Sequence, residues 1–153
     1  MSSPADTLQA PFDRTAIAAR IPHQGSMCLL DTVTQWTEQH IHCLSTTHLA
    51  ADNPLRSEGR LGIACGIEYA AQAMAVHGAL LASGPPPKRG YLVSVRNVTL
   101  AADRLDASPA PLQIEAERLS GDANTVLYQF HVRSADRLLL SGRAAVVLDS
   151  ENL

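Results

Sequence analysis

The longest hydrophobic segment of the chain spans residues 62–83 and reads GIACGIEYAAQAMAVHGALLAS. It predicts a helix of about six turns, and the prolines that follow Gly84 end it because proline cannot continue a helix. Nearly every face is apolar, so other parts of the protein must enclose this helix. Glu68 and Gln72 stand four residues apart and therefore share one face. Glu68 needs an explanation because a carboxylate among apolar residues is costly to bury.

Strand patterns flank this helix on both sides. The clearest are residues 112–117 and 125–133, where apolar and polar side chains alternate as in a sheet with one face in water. The hairpin before the helix turns at Glu38 and Gln39, and Gly142 is interpreted as a bulge. The predicted strands are residues 27–37, 40–48, 91–100, 112–117, 125–133 and 138–148.

The N-terminal part of the chain has a weaker pattern. Residues 1–12 are polar and contain proline, and we expect an irregular lead-in. Residues 13–20 predict a short helix that Asp13 caps and that ends before Pro22.

The order of these elements predicts one α+β domain over residues 1–153, in which an antiparallel sheet of about six strands wraps one long central helix. This arrangement, in which the sheet curves around the central helix, is called the hot-dog fold. A helix that is apolar all round needs contacts beyond its own sheet. Hot-dog proteins gain them by forming dimers whose two sheets meet edge to edge, so the resemblance to this fold implies a dimer here.

The amino-acid composition limits the classes of function that this protein can have. The 153 residues include 46% hydrophobic and 18% charged residues, and the net charge of -3 supplies no basic surface for nucleic acid. No signal peptide is evident, and Glu68, Gln72 and His77 make membrane insertion of the long helix unexpected. We expect a cytoplasmic protein whose cysteines Cys28, Cys43 and Cys65 are reduced thiols.

Two stretches of the sequence resemble one enzyme family. Residues 21–33, IPHQGSMCLLDTV, and residues 66–74, GIEYAAQAM, are similar to the opening and central-helix motifs of the 3-hydroxyacyl-acyl-carrier-protein dehydratases. The closer likeness is to a dehydratase-like branch of aryl polyene and related polyketide gene clusters, which Asn53-Pro54 and the tripeptide at 59–61 also match. The resemblance covers about residues 20–82.

The resemblance implies a catalytic pair. Dehydration of a 3-hydroxyacyl thioester needs a base for the C2 proton and an acid for the departing hydroxide. The standard enzymes share this work between a loop histidine and a central-helix carboxylate across the dimer interface, and Glu68 matches the carboxylate. Pro54 stands where the histidine belongs, so His23 is the nearest replacement. Three other interpretations stay open: a different hot-dog subunit supplies the histidine across a mixed dimer, His23 holds its turn through the backbone, and Glu68 only favours the positive end of the helix.

The resemblance also implies the substrate contacts and the partners. Backbone N–H groups at the start of the helix are expected to face the thioester oxygen, and Gln24 replaces an arginine that is usual in the family. The substrate would be held on the phosphopantetheine of acyl carrier protein, with no metal and no other cofactor. A second hot-dog subunit, identical or related, would complete the oligomer. The expected substrate-binding residues are Ile63, Ala64, Cys65, Gly66 and Gln72.

Three functions remain open from the sequence: a dehydratase or dehydratase subunit, a hot-dog thioesterase in which Glu68 activates water, and a catalytically silent partner of an active subunit. A metal site at His40 and His42 lacks an evident third ligand. His77 is interpreted as a histidine satisfied near the surface or an interface, and Asp31 as a residue that orients a loop. Neither Ser26 nor Ser45 has the spacing of a nucleophile.

Overall fold

A computed structural model, which describes residues 8–82, 90–122 and 124–148, shows one long helix lying across one antiparallel sheet. The strands are β1 (Phe12–Asp13), β2 (Thr32–Trp36), β3 (His40–Ser45), β4 (Gly90–Leu100), β5 (Leu112–Gly121), β6 (Thr125–Ser134) and β7 (Arg137–Leu148). The helices are α1 (Arg14–Ala18) and α2 (Gly66–Leu81), and short 3-10 turns occupy Gly25–Met27, Thr47–Leu49 and Ile63–Cys65. The described residues thus form a seven-stranded sheet in the order β1-β2-β3-β5-β6-β7-β4, which confirms the predicted hot-dog fold.

The inner face of the sheet carries the apolar residues of the alternating apolar and polar pattern seen in the sequence. Ile114 and Ala116 of β5 and Phe130 and Val132 of β6 are fully buried against α2, while Glu117 of β5 points to solvent. Register confirms the shared face, because Ile114 pairs with Val132 and Ala116 with Phe130. Burial of these side chains is the main favourable contribution to folding.

Helix α2 is buried on one face only within a single chain. Tyr69, Ala73 and Val76 are fully buried, whereas Ala71 and Ala75 on the opposite side remain half-buried. The α-helix is shorter than the predicted 62–83, because the chain enters through a 3-10 turn and the helix ends at Leu81; residue 83 lies outside the described residues. Among the described residues, no helix combines the length and hydropathy that crossing a membrane requires.

The first predicted strand is too long. Residues 25–27 form a 3-10 turn and β2 begins only at Thr32, because side chains from other elements bind the backbone of residues 27–29 in place of a neighbouring strand. Similarly, β3 ends at Ser45 before another 3-10 turn. In the predicted lead-in, Phe12 pairs with Val33 as part of β1, and residues 1–7 lie outside the described residues. The predicted cap is confirmed, since Asp13 Oδ1 accepts from the Thr15 N–H at 3.1 Å.

Gly142 is not a bulge. It pairs in regular register with Phe130, and a Cβ atom there would lie 2.9 Å from Phe130 Cζ, so the position needs glycine for the close approach of this ring. The irregularity lies in the neighbouring strand β4, where the register shifts between Arg96 and Thr99. Asn97 in that interval has a φ of 54°, a left-handed conformation that asparagine tolerates better than most residues.

Candidate active site

His23 and Glu68 contact each other within one chain. The His23 Nε2 atom lies 3.3 Å from Glu68 Oε1, and the two side chains are 26% and 36% exposed. His23 belongs to the loop after α1, and Glu68 lies in the first turn of α2. The partial exposure leaves both groups accessible to a bound molecule. The two residues predicted from separate motifs are therefore brought together at one site.

The start of α2 is a favourable place for the Glu68 carboxylate. The aligned peptide dipoles of a helix place a partial positive charge at its first turn, which stabilises an anion. Glu68 is the acidic residue in that turn. This stabilisation and the contact with His23 act on the same carboxylate, so the helix-end interpretation and a chemical role are compatible.

His23 does not hold its own turn. Its Nδ1 atom is buried without a hydrogen-bond partner among the described residues, and Nε2 faces Glu68. Gln24 holds the turn instead, because its Nε2 group donates to Ala18 O at 2.8 Å and to Ile21 O at 3.2 Å. The imidazole is thus kept for the contact with the carboxylate.

Gln72 binds the protein backbone, which corrects its predicted contact with substrate. The side chain is fully buried; Nε2 donates to Met27 O at 2.7 Å and Oε1 accepts from the Leu29 N–H at 2.9 Å. Its donors and acceptor are therefore directed at the segment that follows the His23 loop. The Leu29 carbonyl accepts on its other side from Thr47 Oγ1 at 2.7 Å.

Most of the amides expected to face a thioester oxygen are already used inside the chain. The Ile63 N–H donates to Asp103 O at 3.0 Å, and the Cys65 N–H donates to Gly62 O at 3.1 Å. The Gly66 N–H donates to carbonyls of the preceding 3-10 turn. The expectation of open N–H donors therefore does not hold for these three residues, because the tight turn at the start of α2 consumes them. Ala64 is exposed at the same turn, and its contact with substrate stays a prediction.

The loop around Pro54, where the resemblance leads one to expect a histidine, is anchored by an amide. Asn53, beside Pro54, is only 5% exposed. Its Nδ2 group donates to Tyr69 Oη and to Thr47 O, each at 2.9 Å, and Oδ1 accepts from the Leu55 N–H at 2.9 Å. Burial raises the pKa of Tyr69, which keeps the hydroxyl protonated. Sequence reasoning missed this anchor; its signal was a tyrosine directly after Glu68 on a helix of mostly small residues.

The remaining candidates have structural partners. His77 is fully buried rather than near the surface, with Nδ1 2.7 Å from Tyr128 Oη and Nε2 2.7 Å from Thr37 O. Asp31 orients its loop as predicted, because its carboxylate accepts from Arg14 Nη2 at 3.0 Å and from the Thr46 N–H at 2.7 Å.

The outer face of the sheet holds the candidate metal ligands. His42 lies 3.6 Å from Glu115 Oε1 and also contacts Thr34. In the part of the chain that the structure describes, no three histidine, cysteine or acidic side chains are grouped closely enough to hold a metal ion.

One long helix laid across one antiparallel sheet defines a hot-dog protein, and in this chain a histidine and a carboxylate are in contact at the start of that helix. The chain belongs to the ApeP-like family: the family described as ApeP dehydratase matches residues 15–152. This match confirms the resemblance seen in the motifs at 21–33 and 66–74. No curated protein matches the sequence.

Solved structures share the fold. The dehydratase heterocomplex ApeI:P from Xenorhabdus doucetiae matches with a TM-score of 0.76 at 22% identity, covering 89% of this chain and 92% of that chain. A thioesterase family protein from Silicibacter pomeroyi matches at 0.65 with 11% identity, covering 86% and 94%. A thioesterase from Haemophilus influenzae matches at 0.57 with 13% identity, covering 78% of each chain. At these identities the likeness concerns the fold, which hosts both kinds of enzyme.

Proposed function

We propose that this chain is a dehydratase subunit that removes water from 3-hydroxyacyl chains carried on acyl carrier protein, in aryl polyene-type biosynthesis and beside a related hot-dog subunit. The contact of 3.3 Å between His23 and Glu68 carries the proposal. Membership of a dehydratase family supports the reaction class. The similar solved structure described as a dehydratase heterocomplex supports the mixed assembly.

His23 and Glu68 together can supply the base and the acid that dehydration needs. One group of the pair takes the C2 proton as the base while the other gives a proton to the C3 hydroxyl as the acid, so that the hydroxyl leaves as water and the C2–C3 double bond forms. The base then carries one proton more and the acid one proton fewer. Because Nε2 and Oε1 lie 3.3 Å apart, that proton passes directly between the two groups and restores the starting state.

The spacing of the two groups also suits the substrate. The proton and the hydroxyl that leave belong to adjacent carbons, so the two catalytic atoms must lie near each other, as His23 Nε2 and Glu68 Oε1 do. Standard dehydratases draw these groups from opposite subunits. In this chain one subunit carries both, so the proposed partner need not supply a histidine.

The test is an assay for loss of water. The purified chain, alone and with its co-encoded hot-dog relative, is given acyl carrier protein bearing a 3-hydroxyacyl group, and the product is followed by mass. Glu68→Gln and His23→Ala should each lower the rate by about 100-fold or more, the usual scale for a general acid or base. His40→Ala, on the sheet away from this pair, is the matched control and should dehydrate normally.

The same assay separates the other two functions. Release of the free acid, with the hydroxyl retained, would identify a thioesterase. Dehydration that requires this chain but is unaffected by both Glu68→Gln and His23→Ala would identify a silent partner and refute the proposal.

A further inference from the structure

A buried chain of hydrogen bonds begins at the α2 residue next to Glu68. Tyr69 directly follows this carboxylate in the sequence, and its side chain is fully buried. The Tyr69 Oη atom lies 2.8 Å from Thr47 Oγ1 and 2.9 Å from Asn53 Nδ2. Thr47 Oγ1 in turn lies 2.7 Å from Leu29 O. Two hydroxyl groups thus connect the helix that carries Glu68 to the segment that follows the His23 loop.

The donors and acceptors of this chain have one consistent arrangement. An amide nitrogen only donates, so Tyr69 Oη accepts from Asn53. Among the described residues, Thr47 Oγ1 is then the remaining acceptor for the Tyr69 proton, and the Thr47 proton goes to the Leu29 carbonyl. Each hydroxyl both accepts and donates. Removal of either hydroxyl therefore breaks the connection between α2 and Leu29 at a defined bond.

Both backbone groups of the buried residue Leu29 are held by α2. Its N–H donates to Gln72 Oε1 at 2.9 Å, and its carbonyl is connected to Tyr69 through Thr47. Tyr69 and Gln72 are three residues apart and are therefore neighbours on the helix. Glu68 lies within one turn of both. The helix that carries the carboxylate thus fixes Leu29 by two separate connections.

Leu29 is close to His23 along the chain. It lies six positions after the histidine, and a 3-10 turn at Gly25–Met27 occupies half of that interval. The Met27 N–H closes the turn by donating to Gln24 O at 3.1 Å. Because packed segments of this kind transmit strain, a shift of Leu29 moves the loop that carries His23.

We infer that Tyr69 and Thr47 are positioning residues for the pair of His23 and Glu68. Their hydroxyl groups fix the distance between the histidine loop and the helix that carries the carboxylate. The role assigned to them rests on the proposed function, in which the pair transfers protons and must be held at hydrogen-bond distance. A displacement of about 1 Å at a reacting group can lower a rate by about 100-fold. The two hydroxyls therefore act on the chemical step rather than on binding of the acyl chain.

Substitutions that remove only the hydroxyls test this role. Thr47→Val keeps the shape of the side chain, and the Leu29 carbonyl keeps Ser45 Oγ as a donor, so the loss is confined to the connection with Tyr69. Tyr69→Phe breaks the same connection one bond earlier. In the dehydration assay both variants should lower kcat about tenfold and leave KM within about twofold, because the substrate still binds but the pair is displaced. Thr47→Ser keeps the hydroxyl and should retain the wild-type rate.

Tyr128→Phe is the matched control. Tyr128 is also buried, and its Oη atom lies 2.7 Å from Nδ1 of His77, more than two turns along α2 from Tyr69. The variant loses a buried tyrosine hydroxyl that contacts α2, so it should lose comparable stability in urea but keep its kcat. An equal fall of kcat in Tyr128→Phe would indicate a general loosening of the fold and would overturn the inference. An unchanged kcat in either Thr47→Val or Tyr69→Phe would also overturn it.

A second measurement does not need turnover. The imidazole signals of His23 in NMR spectra, assigned by their loss in His23→Ala, report the surroundings of the ring. They should shift in Thr47→Val and Tyr69→Phe and keep their wild-type positions in Thr47→Ser and Tyr128→Phe. A wild-type chain that does not dehydrate would refute the proposed function, and these signals would then decide the positioning role. Unchanged His23 signals in Thr47→Val and Tyr69→Phe would overturn that role whether or not the chain is active.

Discussion

Gln72 lies one helical turn after Glu68 and binds the backbone that follows the His23 loop. Arg14 binds the same segment from the other side, with Nη1 donating to Cys28 O at 2.6 Å. The 3-10 turn connects this segment to the His23 loop, because the Met27 N–H donates to Gln24 O at 3.1 Å. The position of His23 thus depends on individual side chains that bind backbone groups, in a segment without strand partners of its own.

Replacement of Gln72 should therefore be costly. Gln72→Met keeps the side-chain volume but leaves the buried Leu29 amide and the half-buried Met27 carbonyl without partners, and an unpaired buried group costs about 1 to 3 kcal/mol. We expect the free energy of unfolding, measured with urea, to fall by roughly 2 to 5 kcal/mol. Gln24→Met is the matched control: its bonds are at the surface, where water replaces them, and the loss should stay below about 1 kcal/mol. Equal losses would contradict the role given to Gln72.

At the scale of elements, the start of α2 is placed by its contact with β7. Gly66 is buried, and a Cβ atom there would overlap Leu140 Cδ2 and lie 3.3 Å from Cδ1. Leu140 is itself fully buried and has little room to move. The absent side chain lets the helix approach the sheet closely, and Glu68 follows two residues later in the same turn.

The two glycines of α2 should respond oppositely to alanine. Gly66→Ala forces Leu140 aside in a packed core and should lower the free energy of unfolding by about 1 to 3 kcal/mol. On the same helix, a Cβ atom added at Gly78 would meet no described residue beyond its own stretch of helix within 4 Å, so Gly78→Ala should raise stability by roughly 0.5 to 1 kcal/mol through helix propensity. Thermal unfolding of both variants tests these two predictions. A stabilised Gly66→Ala variant would show that the contact with Leu140 does not constrain the helix.

At the scale of the whole molecule, two buried histidines connect distant parts of the chain. His48 Nε2 donates to Ser108 O at 3.0 Å, and His77 on α2 joins β6 to the end of β2 through Tyr128 and Thr37. Desolvation lowers the pKa of both histidines below the ordinary 6.5, and burial raises the pKa of Tyr128 to about 12. The lowered pKa values favour the neutral form of both imidazoles in the folded protein.

Stability should decline on mild acidification. Below pH 6.5 the unfolded chain binds protons at His48 and His77 that the folded chain does not, so their contribution is complete above that pH and is lost as the pH falls. The free energy of unfolding should drop with a slope of up to roughly 1.4 kcal/mol per pH unit for each histidine, and should be level between about pH 7 and 8. His77→Gln should remove one histidine's share of the slope. An unchanged slope in urea titrations of that variant would refute the assignment.

The sequence by itself determined the elements whose pattern is local. Alternation along β5 and β6 identified the buried face of the sheet, because neighbouring side chains of a strand point to opposite sides. The apolar segment identified the central helix, with Glu68 near its start. Motifs also named His23 as the candidate partner of that carboxylate, since residue types and short spacings are visible without a structure.

Only the tertiary structure decided how these parts meet. The contact of His23 with Glu68 depends on how the loop packs against α2, and Gln72 supports that region by bonds to residues 43 and 45 positions away in the chain. The sequence placed Gln72 on the same helix face as Glu68, but it could not show that the Gln72 amide forms hydrogen bonds with backbone groups. The closeness of Gly142 to Phe130 likewise arises between strands. Such contacts follow from packing and register, which local periodicity does not specify.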